Sequence, residues 1–403
     1  MYKMKNNELS IGINIGKAGK KDRGITVYTR NLLMEMAKIG DSNNVTLLHY
    51  PGSVPDENFG FENSRFMPLP YSDKDGPIKT IINEQITNPS QQANLGLNVV
   101  WHPHNRSQFY SPCAYVCTMH DVLPVARPDL AGKYINSLAK RLLFWSRTFS
   151  AANADMVITD SEFSRQEIIN HLRVDPKKVK AIHLGINRET FHSDKNPENW
   201  NRVKSTYDLP EKYILTTGSY APHKNLRLIV EAYSHSNLIN DGVGLVMVGP
   251  NDATGYRIGY QELVKYAESI GIMNNIRLLP SVPESDLVSI YCHSHIHVTA
   301  SMYEGFGFTP LEAMACEVPV ISSNVSSLPE VCGEAAVYAD PCDPDSFTEK
   351  MNTLGQNQNL RSEMIEKGRR RVEEFSWDKC ATQTWQTLQD VVAIRKRKPK
   401  GAQ

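Results

Sequence analysis

Short β-branched runs and helix-length amphipathic segments alternate from one end of the chain to the other. In the first half, LSIGINI (9–15), VTLLHY (45–50), LNVVWH (97–102), AYVCTM (114–119) and ADMVITD (154–160) predict strands. Ile25, Tyr28, Leu32, Leu33 and Met36 mark one helical stripe, which stops at Gly40, a good left-handed terminator. Between 177 and 210 a last strand gives way to a polar stretch with Asn and Pro, and the pattern then restarts. YILTTG (213–218), GLVMVG (244–249), IRLLP (276–280), IHVTA (296–300) and VPVISS (318–323) predict the strands of a second half. The alternation reads as parallel α/β. Two doubly wound domains facing each other across a cleft are expected, an N-terminal one over 1–200 and a second over 201–378. A helix over 379–396 follows a break at FSWDK (375–379), and a basic tail covers 397–403.

Length agrees with that division, because 403 residues exceed what one ordinary core accommodates. Lys+Arg and Asp+Glu both total 44, so no net field draws in nucleic acid, and none is expected as a partner. The seven cysteines are scattered, without the C-x-x-C pairs of a zinc site or the density of a disulfide scaffold. The N-terminal stretch has no apolar h-region and no run approaches the length of a membrane span, so a cytoplasmic protein is expected. The basic RKRKPK (395–400) leaves two outcomes open, a solvated tail or a peripheral contact with anionic lipid at the inner face of the membrane.

Several nucleotide-binding signatures are missing. There is no G-x-x-x-x-G-K-[ST], and no G-x-G-x-x-G opening a helix with an acid about 20 residues on. Instead Gly16, Gly24, Gly218 and Gly249 lie at the ends of predicted strands, where an open parallel sheet borders its ligand crevice. TTGSYAPHKN (216–225) adds Lys224 near a helix start, where its point charge can neutralise a diphosphate or simply face solvent. His120 and Asp121 follow a strand and can bind sugar hydroxyls, move a proton, or only satisfy a local hydrogen bond. His293, His295 and His297 alternate as strand residues on one face would, but no carboxylate or cysteine completes a metal site, and no metal is expected. DKD (73–75) and DPD (343–345) read as structural, the second as a helix cap.

EGFGFTPLE (304–312) carries the densest chemistry. Thr309, Pro310, Leu311 and Glu312 form T-x-x-E with proline at the first helical position, a capping box. That leaves Glu304 and the run Gly305, Phe306, Gly307 and Phe308 unexplained. Two glycines ahead of a helix N-terminus make an anion nest, with carboxylate acceptors for hydroxyls on either side. Phosphate in the middle and polyol at each end is the outline of a nucleotide sugar.

The region 301–343 closely resembles the Glu-x7-Glu region of glycosyltransferase family 4, retaining enzymes of the GT-B fold. The resemblance continues in GITVYTRNLL (24–33), HDVLPVARP (120–128), TDSEFSR (159–165), HLGI (183–186), GSYAPHKNL (218–226) and SVPESDLVSIY (281–291), in order over most of the chain. The subgroup most similar comprises mannosyl- and rhamnosyltransferases of polysaccharide assembly.

The resemblance implies that Glu304 accepts from the transferred sugar while amides around Gly305, Phe306 and Gly307 hold sugar and phosphate. It implies further that Glu312 binds the ribose, Lys224 the diphosphate and Gly24 the phosphates, with His120 near the sugar. It also implies a C-terminal helix returning to the first domain. Ser219 stands where many members have arginine, which leaves open whether His223 holds part of that charge, and Glu317 replaces a frequent glycine. The expected reaction is metal-independent hexosyl transfer, mannose-like and with GDP-mannose favoured, to a saccharide or lipid-linked acceptor. No carboxylate stands out as a covalent nucleophile, so same-face attack assisted by the leaving phosphate is expected. A sugar-nucleotide epimerase and a catalytically silent sugar-nucleotide scaffold are the alternatives. Donor base, acceptor and oligomeric state are not readable from the residues.

Overall fold

The structure, a computed structural model, describes residues 9–16, 25–39, 44–51, 59–61, 64–70, 75–105, 108–131, 138–193, 196–250 and 257–397. The chain divides into two compact units, the first comprising Met1–Val122, Ile135–Gly185 and Trp377–Gln403, the second Leu123–Tyr134 and Ile186–Ser376.

Among the described residues unit 1 is built on seven strands: β1 (Ile11–Gly16), β2 (Val45–His49), β3 (Arg65–Pro68), β4 (Val99–His102), β5 (Ala114–Thr118), β6 (Met156–Thr159) and β7 (Val179–Ala181). They form one parallel sheet in the order β3-β2-β1-β4-β5-β6-β7. Ile11 of β1 lies opposite both Val45 and Val99, and Ile11, Ile13 and Ile15 are fully buried, as a central strand covered on both faces requires. The edge strand β3 carries no apolar pattern, ends in proline and is not among the predicted strands. Helix Ile25–Ile39 buries Tyr28, Leu32, Leu33 and Met36, the stripe read from the sequence. It packs against helix Trp377–Arg397, which buries Cys380, Ala381, Leu388, Val391 and Val392. Arg395 fixes the end of that helix by donating to the carbonyls of Cys113 and Ser111 and to Asp155.

Unit 2 contains β8 (Tyr213–Thr217), β9 (Gly244–Val248), β10 (Ile276–Leu279), β11 (Ile296–Thr299), β12 (Val320–Ser323) and β13 (Ala336–Ala339), all parallel in the order β10-β9-β8-β11-β12-β13. Its core joins the sheet to helices Leu226–His235 and Pro344–Gln356 through Ile229, Tyr233, Phe347 and Met351. The polar stretch around 200, which reads as a linker, is helix Pro197–Tyr207, and the change of unit falls ahead of it, at Gly185–Ile186. Buried Asp286 holds this helix by accepting from Arg202 and from Tyr207 at 2.8 Å. Among the described residues no helix is long and apolar enough to cross a membrane.

Candidate active site

In each sheet the strand order reverses beside its first strand, and the carboxyl ends of strands at such a reversal are where open α/β sheets bind ligands. In unit 2 that place lies between β8 and β11. After β8 the chain makes a tight turn at Pro222–Lys224, with Asn225 in the left-handed conformation, and enters helix Leu226–His235. After β11 it runs through 300–307 into helix Phe308–Ala315. The Met302 amide donates to the His223 carbonyl at 2.8 Å and binds the two turns together.

This brings Lys224 and Glu304 into contact, with Nζ 2.5 Å from Oε1 and side chains only 18% and 14% exposed. The Ser301 hydroxyl donates to the same carboxylate oxygen at 2.7 Å. Burial alone would raise the pKa of Glu304, but the Lys224 charge, His223 and the hydrogen bonds from Lys224 and Ser301 outweigh it, so the pKa is lowered and the carboxylate stays ionised. Ser326 and Ser327 fix the backbone. Ser326 Oγ accepts from the Glu304 amide at 3.1 Å, and the Ser327 hydroxyl faces the carbonyls of Glu304 (2.9 Å) and Phe306 (2.6 Å).

Two possibilities that the sequence leaves open are decided here. His223 does not replace the missing arginine charge, because burial lowers its pKa to about 4 and leaves the ring neutral near pH 7. The capping box does not form either. Gly307, at φ 116°, is the N-cap, the helix starts at Phe308, and no side chain caps it. Thr309 therefore already sits inside the first turn. The Glu312 carboxylate accepts instead from the Tyr291 hydroxyl at 2.8 Å, and Tyr291 accepts in turn from Thr217 at the end of β8, at 2.6 Å. Gly218 is also a positive-φ position, at 137°, beside the stem of Lys224. Gly249 is packed so closely that a Cβ there would stand 1.8 Å from the Gly218 carbonyl oxygen.

Unit 1 positions His120 just beyond β5. Its partner is not the adjacent Asp121 but Asp160, forty positions on, with Nδ1 2.8 Å from Oδ2. Nε2 lies 3.2 Å from the Pro103 carbonyl, the His120 amide donates to Asn105 at 2.8 Å, and the ring meets Tyr28 edge-on at 4.7 Å. Both ring nitrogens therefore face oxygens, an arrangement that favours a doubly protonated ring. Burial works against a charged ring, but the charge and hydrogen bond of Asp160 prevail and raise the His120 pKa; burial raises that of Asp160. Gly24 lies outside the described residues.

The three alternating histidines do not converge. His293 stacks on Trp200 at 4.0 Å, His295 contacts the Gly355 carbonyl at 2.9 Å, and only His297 lies in a strand, buried near Tyr291. Asp343 caps helix Pro344–Gln356 by accepting from the Asp345 amide at 3.0 Å, as its sequence predicts.

Residues 23–190 match the family model for Glycosyltransferase Family 4, and residues 198–371 match that for Glycosyl transferases group 1. An O-antigen chain mannosyltransferase B of Escherichia coli is 31% identical over 273 residues, 67% of this chain and 68% of the relative. The chain belongs to glycosyltransferase family 4. A serotype-specific mannosyltransferase of the same species is 25% identical over 275 residues, which span 67% of this family 4 chain and 32% of that longer protein. Its similarity thus runs to the mannosyltransferase-like members. Two solved structures share the two-sheet GT-B fold. Sucrose-phosphate synthase from Thermosynechococcus elongatus has a TM-score of 0.74 at 18% identity and covers 96% of this chain and 100% of its own. Anabaena HepE, solved with UDP-glucose, has a TM-score of 0.71 at 15% identity over 95% of this chain and 100% of its own.

Proposed function

We propose that this glycosyltransferase moves a mannose-like hexosyl group from a nucleoside-diphosphate sugar, with GDP-mannose favoured, to a saccharide or lipid-linked saccharide acceptor. The reaction proceeds with retention and without a divalent cation. The observation that carries the reading is the buried Lys224–Glu304 pair beside the helix that Gly307 opens. Breaking the anomeric C–O bond puts negative charge on the leaving diphosphate and positive charge on the ring. Lys224 has three donors, so it can shift toward the phosphate while Glu304 remains ionised. First-turn amides of helix Phe308–Ala315, which lack intrahelical acceptors, supply further donors to an anion. Glu304 accepts from hydroxyls of the sugar, and Glu312, anchored by Tyr291, accepts from the ribose. Ser219 and His223 border the phosphate site, with His223 acting as a neutral group. In unit 1, His120, held by Asp160, can exchange a proton with a sugar hydroxyl. The acceptor attacks the face the diphosphate leaves, and the diphosphate helps take its proton.

Donor turnover assayed with and without acceptor, in excess EDTA, tests this. Acceptor-dependent product of unchanged anomeric configuration is expected. Activity restored only by Mg²⁺ or Mn²⁺ would overturn the metal-independent reading, and conversion of the donor sugar without acceptor would favour an epimerase.

A further inference from the structure

Strand β11 carries a histidine inside the core of unit 2. His297 lies between β8 and β12, is fully buried, and its Nδ1 has no hydrogen-bond partner among the described residues. Burial lowers its pKa to about 3, so the ring is neutral near pH 7. An unpaired polar atom in a core costs stability, and an apolar side chain would avoid that cost. The other ring nitrogen, however, faces the donor site.

Strands β8 and β11 run in parallel with His297 opposite Leu215, and Thr217, two residues on, lies on the same face of β8 as Leu215. His297 Nε2 stands 3.4 Å from the Thr217 hydroxyl, which stands 2.6 Å from the Tyr291 hydroxyl, which donates to Glu312 at 2.8 Å. The proton count gives these contacts one direction. An ionised carboxylate only accepts, and Tyr291, whose pKa burial raises well above its ordinary value, keeps its single proton and gives it to Glu312. The Tyr291 oxygen can then only accept, so the Thr217 proton points to it, and the Thr217 oxygen is left to accept from His297. That requires the Nε2–H tautomer, in which the unpartnered Nδ1 carries no hydrogen. The other tautomer would present a lone pair to Thr217 and draw its proton away from Tyr291.

We propose that His297 and Thr217 are positioning residues for the carboxylate of Glu312, acting through Tyr291. Their one-way chain commits the phenolic proton to one Glu312 oxygen and holds the carboxylate in place for the ribose hydroxyls of the donor, which sharpens selection for a ribonucleoside diphosphate. The proposal rests on the reading that Glu312 binds the ribose. Each hydroxyl in such a chain donates more strongly because it also accepts.

Ring carbon and nitrogen NMR of histidine-labelled protein, with the His297 signals identified by their loss in His297→Leu, reads the tautomer directly. The Nε2–H form is expected, and the Nδ1–H form overturns the proposal. Calorimetry with GDP and 2′,3′-dideoxy-GDP reads the consequence. Thr217→Val and His297→Leu should each weaken GDP binding about threefold or more and leave the dideoxy nucleotide nearly unaffected, with donor KM raised and kcat kept. Thr217→Ser keeps the hydroxyl, and the amide nitrogen of His297→Gln can donate from the same place, so both should retain the ribose preference. His297→Leu should unfold no earlier than wild type, because it leaves no unpaired nitrogen in the core. A histidine with a merely structural role would instead lose stability in that variant without any change in ribose preference, and this result overturns the proposal. Adding Thr217→Val or His297→Leu to Glu312→Gln should have no further effect on GDP, since the chain acts through that carboxylate. If Glu312→Gln keeps the wild-type preference for GDP over the dideoxy nucleotide, the ribose reading falls and takes this proposal with it. If Glu312→Gln loses the preference while Thr217→Val and His297→Leu keep it, only the chain falls.

Discussion

Removing Lys224 should destabilise unit 2 as well as stop turnover, because its loss strands a carboxylate away from water. Glu304 is 14% exposed, and its lowered pKa depends chiefly on Lys224 prevailing over burial. In Lys224→Met the burial penalty stands nearly unopposed, with only Ser301 left as a donor to the carboxylate among the bonds described above. Leaving one member of a buried pair costs about 3–5 kcal/mol when desolvation is complete. Partial exposure here reduces that to about 2–3 kcal/mol. For a unit of this size the loss corresponds to a fall in Tm of about 4–12 °C. Adding Glu304→Gln removes the stranded charge, so the double variant should recover at least about 1 kcal/mol of the deficit expected from summing the single variants. The lowered Glu304 pKa also fixes the pH dependence. Its contribution is present above the unfolded carboxyl pKa and disappears as pH falls through the folded one, so wild type and Lys224→Met should converge in acid. Urea unfolding of the four proteins at neutral and acid pH is the assay. Equal midpoints for wild type and Lys224→Met, or strictly additive effects in the double variant, would refute the reasoning and move the anionic clamp elsewhere.

Glu312→Gln should leave Tm nearly unchanged, because Tyr291 can still donate to the amide oxygen, while calorimetry should show nucleoside-diphosphate affinity about tenfold weaker as the ribose loses an ionised acceptor; unchanged affinity would reduce Glu312 to a structural partner of Tyr291. Asp160→Asn removes the charge that raises His120, so its stability deficit should be largest below about pH 6.5 and shrink as pH rises through the folded His120 pKa. A deficit that is flat with pH would rule out a shared proton. Gly249→Ala should cost about 3 kcal/mol or more and weaken donor binding, since its Cβ would press on the Gly218 carbonyl beside Lys224; a variant with wild-type urea midpoint and affinity would sink that account.

The strands that the sequence did reveal are mostly central and buried, together with the edge strand β10, whose IRLL run is still largely apolar. β3 and β13 escaped because edge strands need less apolar surface; the burial of Arg65–Pro68 and of Ala336–Ala339 is correspondingly incomplete. Lys224, Glu304 and Glu312 were legible because each follows a strand end in the chain. Asp160, Tyr291, Ser301, Ser326 and Ser327 gave no local signal, since their importance comes from contacts made by the folded backbone, across 40 positions for His120 and 21 for Glu312. The T-x-x-E pattern misled because a glycine able to adopt positive φ lies two residues upstream and starts the helix first. The histidine alternation is not one strand face, because His293 closes helix Glu284–Cys292 and β11 begins only at Ile296.

The helix Trp377–Arg397 has a consequence for how the protein is made. It covers helix Ile25–Ile39 of unit 1, yet the ribosome reaches it only after all of residues 186–376 have been synthesised. At roughly 5–20 residues per second the nascent N-terminal sheet waits about 10–40 s for its last layer. Through that interval Tyr28, Leu32 and the strands behind them lack a native cover, while unit 2 has its entire sequence available before synthesis ends. Vectorial synthesis thus reverses the order that the chain suggests, with the second unit free to mature before the first receives its covering helix.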